Sequence, residues 1–144
     1  YHGEDIDEKY YVKSGDVLFS WSADLNVYIW GQEPGLLNQH IFLVKSFDLP
    51  NSFLFHSLNH RLQEFRNRSQ GTTMQHIKRS ALGEVSFLVP PIDMVMKFHD
   101  SVTTFTELFI NLQKSITQLK STRDLLLPRL ISGELDVSDL DLVA

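Results

Sequence analysis

The 144-residue sequence has no cysteine, which rules out disulfide staples, thiol nucleophiles and cysteine-built zinc modules and suits a reducing compartment. It also has no apolar run near the ~20 residues that a membrane-spanning helix needs. No basic start followed by an apolar stretch and small residues, the pattern of a secretory leader, is present. The expectation is a soluble, cytoplasmic protein with no membrane partner. There is no glycine-rich phosphate loop and no methyltransferase motif. Asp16, Asp24, Glu33 and Asp48 are scattered over turns without a nucleophile nearby, so catalysis by this chain alone is not expected, nor a cofactor of its own. The opening Tyr1-His2-Gly3 carries no methionine, and the expectation is a fragment or a processed product.

What charge there is lies unevenly. The net charge is −5, yet eight of the 18 carboxylates sit in two tails, Glu4, Asp5, Asp7 and Glu8 in front and Glu134, Asp136, Asp139 and Asp141 behind. All 13 lysines and arginines fall between them. From His56 to Arg79 the cations Arg61, Arg66, Arg68, Lys78 and Arg79 face a single acid, Glu64. Distribution governs partner choice more than total charge does, and this segment reads as a local basic patch. Its plainer reading is a solvated helix end whose cations complement the helix dipole.

Tyr10 to Ser46 is rich in β-branched and aromatic residues, punctuated by Ser14-Gly15-Asp16, Gly31 and Pro34-Gly35. Short strands are predicted at Val17–Phe19 and Val27–Trp30, joined through Ser22-Ala23-Asp24, with a fully buried third at Ile41–Val44. Trp30 is assigned to the core. After Pro50, Asn51 or Ser52 is the expected cap of a helix with Leu54, Phe55, Leu58, Leu62 and Phe65 on one face. Gly71 to Met74 reads as a loop, Lys78 to Leu82 as a helical turn and Val85 to Val89 as a strand. Pro91 and Asp93 suit the first turn of a following helix. Pro128 is expected to kink or stop that helix, and Gly133 to cap it.

Within that helix Val95, Phe98, Val102, Phe105, Phe109, Leu112, Ile116, Leu119, Arg123 and Leu126 recur at alternating steps of three and four. A 3.5-residue period sustained over four heptads is the mark of a helix packed along another helix. At ~1.5 Å per residue it spans roughly 50 Å, more than a small head covers, so part of the stripe must meet another chain or domain. The flanking His99, Ser101, Thr106, Leu108, Gln113, Ser115, Lys120 and Thr122 carry too little charge to encode a zipper by charge selection. The expectation is docking on a specific apolar surface, with Leu108 widening the stripe; the alternative is a core helix of an ordinary bundle.

Four stretches, in order, resemble a known family. They are Ser14-Gly15-Asp16-Val17-Leu18-Phe19-Ser20-Trp21-Ser22, then Leu37-Asn38-Gln39-His40, then Gly71-Thr72-Thr73-Met74-Gln75-His76-Ile77-Lys78 with Leu82 and Val89-Pro90-Pro91, and last Leu126-Leu127-Pro128-Arg129-Leu130-Ile131-Ser132-Gly133-Glu134-Leu135. Together they are similar to the specificity subunit of type I DNA restriction-modification enzymes. The chain departs from the family's Leu-x-Glu-Gln-like helix start, carrying Ile92-Asp93-Met94-Val95 instead. The resemblance implies an α/β (α+β) head of short mixed strands and small helices, followed by one long helix that pairs as a coiled coil. It implies a target recognition domain over 1–91, truncated at its N-terminus, a spacer and dimerisation helix over 92–133, and an acidic tail over 134–144. A non-catalytic half subunit is implied, binding half of a bipartite site on double-stranded DNA. Its implied partners are DNA adenine methyltransferase subunits, a restriction and translocase subunit, and a second recognition domain or a second copy. S-adenosylmethionine, ATP and magnesium belong to those partner subunits.

For DNA contact the expected phosphate ligands are Arg61, Arg66, Arg68, Lys78 and Arg79, with Gly71, Thr72 and Thr73 offering small donors and open backbone. Gln75 and His76 are candidates for a groove, and Asn38, Gln39 and His40 for base edges, where Asn or Gln pairs bidentately with adenine. The last three serve equally well as caps of local backbone. Trp21 is a candidate to border a groove or stack on an extruded base, against an ordinary core role. The expected pairing face of the helix is Val95, Phe98, Val102, Phe105, Phe109, Leu112, Ile116, Leu119 and Leu126. Two rivals stand beside this reading: an oligomerisation scaffold without nucleic acid, and a metal-dependent hydrolase built on His40, His56, His60 and His76. His56 and His60 share a helical face but lack a third ligand, which favours no metal.

Overall fold

The computed structural model describes residues 7–69, 75–136 and 138, and of Ala23, Gln75 and Arg79 the backbone alone. The predicted loop residues Gly71, Thr72, Thr73 and Met74 lie outside the described residues, as does most of the acidic tail. A short 3-10 turn, Glu8–Tyr10, leads into β1 (Tyr11–Val12), β2 (Val17–Ser20), β3 (Ser22–Ala23), β4 (Asn26–Ile29), β5 (Gly35–Leu36) and β6 (Ile41–Val44). Helices α1 (Asn51–His60) and α2 (Leu62–Asn67), strand β7 (Gln75–His76), and helices α3 (Arg79–Leu82) and α4 (Ile92–Ile131) follow. This is an α+β head followed by one long helix.

The head is built around β2, flanked by antiparallel β4 and β6, with Leu18 between Tyr28 and Leu43. Val17, Leu18 and Phe19 are all buried, so the central strand is covered on both faces. On one face Val17 and Phe19 join Leu25, Val27, Leu62, Phe65, Ile77 and Val85 in a single core, where Phe19 and Phe65 meet edge to face at 5.1 Å. β4 alternates as a half-buried strand should, Val27 and Ile29 in and Tyr28 out.

Several local expectations are corrected. β6, at one edge of its three-stranded sheet, is half-buried rather than fully buried, all four residues being partly exposed. Neither Asn51 nor Ser52 caps α1, whose N-cap position is Pro50; tertiary partners claim both side chains. Asn51 donates to the Gly15 carbonyl at 2.9 Å, and the Ser52 hydroxyl pairs with His99 Nδ1 at 2.9 Å. Residues 85–89 form no strand; Val85 is drawn into the core while Leu88 and Val89 point to solvent. Trp30 is half-buried at the surface and donates from Nε1 to the Glu33 carbonyl at 2.9 Å.

α4 has 40 residues, about 60 Å at the usual rise. Pro91 occupies its N-cap position, with Asp93 in the first turn and Arg129 in the last, each matched to the dipole end it meets. The helix does not stop at Pro128 but runs on to Ile131. It ends where Gly133 adopts φ of +73° and donates its N–H to Leu130, while the Leu135 N–H reaches Arg129. That left-handed cap is cheap only for glycine.

Candidate nucleic-acid interface

Three segments far apart in sequence converge beside the core. β3 pairs with β7, Ser22 opposite His76, and the Trp21 carbonyl accepts from Ile77 N at 3.1 Å. The Trp21 N–H in turn donates to the His40 carbonyl at 3.1 Å. Trp21 stacks on Phe42 at 5.9 Å, with the His40 ring 5.3 Å and the His76 ring 6.0 Å from it. Buried Ile77 anchors this edge from below, and exposed Lys78 follows directly. Gln39 and His40 are exposed, their side-chain nitrogens 3.2 Å apart. The His40 N–H donates to the Asn38 side-chain oxygen at 2.9 Å, so Asn38 caps its own loop. Trp21 is half-buried and leans on the core, its Nε1 buried with no partner among the described residues. Phe42, absent from the sequence candidates, completes the stack. Its strand pattern carries no sign of that, since the contact depends on the antiparallel register of β2 with β6, which the Trp21 N–H to His40 carbonyl bond continues.

The arginines are differently employed. Arg66 donates from Nη2 and Nε to the Leu25 carbonyl at 3.1 and 3.3 Å, tying α2 to the turn before β4. Arg61 pairs with Glu64. Arg68 donates to the Glu64 carbonyl at 3.1 Å and meets Glu84 at 3.6 Å. Glu84 lies outside the window that looked basic in sequence, and the fold brings it back to offset that charge. Lys78 is exposed and, among the described residues, has no ion pair or side-chain hydrogen bond, unlike the three α2-side arginines. We expect Arg66→Ala to lower unfolding free energy by about 1–3 kcal/mol, the usual scale for a charge-assisted hydrogen bond to a buried carbonyl. Urea unfolding checks this; an unchanged midpoint would contradict the tie to Leu25.

His56 lies edge-on to Phe55 and Phe98 on the α4 side of the head, whereas His40 and His76 flank Trp21. Among the described residues no three His, Asp or Glu side chains are placed to hold a metal. His56 and the His40–His76 pair thus lie on different parts of the head.

The head lies along the first half of α4. Val95 is 1% exposed, Phe98 packs edge-on against Phe53 at 6.2 Å, and Val102, Thr106, Ile110 and Gln113 are half-buried. The predicted stripe runs off this covered face: Phe105 is 71% exposed and Leu119 68%, with Leu108, Phe109, Leu112, Ile116 and Leu126 also open. Ser101, Thr103, Thr106, Ser115 and Thr117 return their hydroxyls to the carbonyl four residues back. The flanks of the stripe are thus polar residues satisfied within their own helix.

The chain is thus a small α+β head with an aromatic and polar edge, mounted along a helix whose stripe from Phe105 to Leu126 is open and apolar. The sequence profile described as the Type I restriction modification DNA specificity domain matches residues 1–121, and the chain belongs to that family. It is 39% identical over 88 residues to the type I restriction enzyme MjaIX specificity subunit of Methanocaldococcus jannaschii, covering 61% of this chain and 20% of that protein. It is 24% identical over 149 aligned positions to the type I restriction enzyme EcoBI specificity subunit of Escherichia coli, covering 99% of this chain and 31% of that protein. The chain thus spans a fifth to a third of the curated relatives it matches. No helix among the described residues is long and apolar enough to cross a membrane.

Proposed function

We propose that this chain is a non-catalytic DNA sequence-recognition unit of a type I restriction-modification system, reading half of a bipartite target. The observation that carries the proposal is the convergence of Trp21, Asn38–His40 and Gln75–Lys78 on one edge of the head. Such an edge offers base-reading side chains beside a cation for phosphate, the two kinds of contact that sequence reading requires. In this reading residues 1–91 are the recognition head and 92–133 the spacer. His76, Gln39 and Gln75 face base edges; Lys78 and Arg79, with Gly71, Thr72 and Thr73, hold phosphates. The arginines of α2 steady the head. The open stripe of α4 takes a second helix, from another recognition domain or another copy, and the assembly holds DNA adenine methyltransferase and restriction subunits. Those partners supply S-adenosylmethionine, ATP and magnesium, and the complex works in the cytoplasm.

A duplex-DNA titration across salt concentrations tests the reading. Counterion release predicts affinity falling linearly with salt on logarithmic axes, and Lys78→Ala lowers that slope by about one while weakening all sequences alike. Gln39→Ala or His76→Ala changes which sequences are preferred. The exposed stripe favours one competing account, an oligomerisation scaffold that ignores nucleic acid; weak, salt-independent binding by every variant would select it. Copurification with a methyltransferase subunit, followed by sequencing of the DNA that the complex protects, tests the assembly.

A further inference from the structure

Head and helix touch along a continuous face of α4 from Val95 to Gln113, and specific contacts mark a near and a far place on it. At the near place Ser52 bonds His99, and Phe53 and His56 close on Phe98. At the far place the backbone of Gly31, which is buried, passes directly over Gln113. A β-carbon on Gly31 would overlap Gln113 Oε1 and stand 2.9 Å from Cδ and 3.1 Å from Cβ. His99 and Gln113 are two heptads apart, about 21 Å along the axis and on nearly the same face. The loop holding Gly31 cannot easily yield. Trp30 exchanges backbone hydrogen bonds with the turn at Gly15 and Asp16, both 2.8 Å, and its indole is tied to Glu33.

We propose that Gly31 is a positioning residue: its missing side chain lets the head lie flat along α4, and this second contact fixes the angle between the recognition edge and the spacer helix. Lying about 21 Å from the Ser52–His99 contact, the Gly31 contact acts on the tilt of the head with the longest lever along the covered face. Alanine is met by rotation of the flexible Gln113 amide, but a branched side chain must lift the head about the Ser52–His99 contact. The consequence for DNA rests on the recognition reading above, since two heads engage one duplex together only when each is held at the right angle.

The test uses the full chain, whose lack of cysteine allows a spin-label pair at Tyr28→Cys on β4 and Lys120→Cys on α4, both exposed positions. The unaltered head gives one narrow label distance, Gly31→Leu shifts or broadens it, and Gln113→Gly in the Gly31→Leu background returns it toward the original. Gln113→Trp, which crowds the same contact from the helix side, gives the same displacement should Gly31→Leu fail to fold. A distance distribution left unchanged by both Gly31→Leu and Gln113→Trp overturns the proposal. On DNA, linking two half-sites is worth about 10²–10⁴ in affinity when geometry permits. Gly31→Leu should cut that advantage at least about tenfold while half-site affinity stays within about twofold. Equal losses on both DNAs overturn a positioning role. Absence of DNA binding by the unaltered protein sinks the recognition reading instead, and the label distances still decide the role of Gly31.

Discussion

The double variant Leu112→Asp, Ile116→Asp should sediment as a monomer at tens of micromolar, and the unaltered chain, on the pairing proposed for α4, as a larger species. Both side chains stand about half exposed at successive stripe positions, off the face of the helix that the head covers. In a paired helix they become buried, and two unpaired carboxylates placed there would each be desolvated without a partner. Hot-spot losses of about 2 kcal/mol or more per residue make the expected fall in association greater than a hundredfold. Within the lone chain the same changes touch only solvent and cost a few tenths of a kcal/mol in helix propensity. Thermal unfolding of the head should therefore hardly move. An unaltered chain that remains monomeric, or a double variant that still associates, would remove the pairing face from the account.

Phe65→Ala should act in the opposite way, on the head alone. Phe65 is 3% exposed, sits on α2, and meets Phe19 of the central strand edge to face. Truncating a buried phenylalanine costs about 3–5 kcal/mol, from lost transfer energy and from the cavity that remains. Small domains are stable by only about 5–15 kcal/mol, so the loss is a large share of the total. Because Ile77 and Val85 share that core, the edge carrying His76 and Lys78 should loosen as well. Near-UV dichroism under urea should show an early transition for the head; a shift below about 1 kcal/mol would mean that Phe65 is not at the centre of the core.

Much of the fold was legible because its signals are local. The heptad run from Val95 to Leu126 needs no tertiary information, and neither do the strands at Val17 and Val27 or the glycine cap at Gly133. Misreadings came where a tertiary partner outcompeted a local preference. Asn51 and Ser52 look like caps, but Gly15 and His99 claim their side chains. Val85 to Val89 has strand composition, but the core takes Val85 and β6 is left as an edge. Pro128 was read as a kink or a stop; the helix does not stop there, because one missing donor near an exposed helix end is tolerated. At the candidate site the residue types were readable and their grouping was not: the register of β2 with β6 brings His40 to Trp21, and His76 arrives through the two-residue pairing of β3 with β7, which is too short to leave a periodic trace.

The sequence by itself determined that this chain has a strand-rich head and a long helix with an apolar stripe, because periodicity and turn chemistry act between residues a few positions apart. It also carried the four ordered stretches that resemble type I specificity subunits. Only the tertiary structure decided which face of α4 the head occupies and which it leaves bare. It alone returned Glu84 to Arg68 and turned Arg66 toward the Leu25 carbonyl. Those outcomes depend on residues tens of positions apart meeting at atomic distance, and charge and packing answer to that distance rather than to position along the chain.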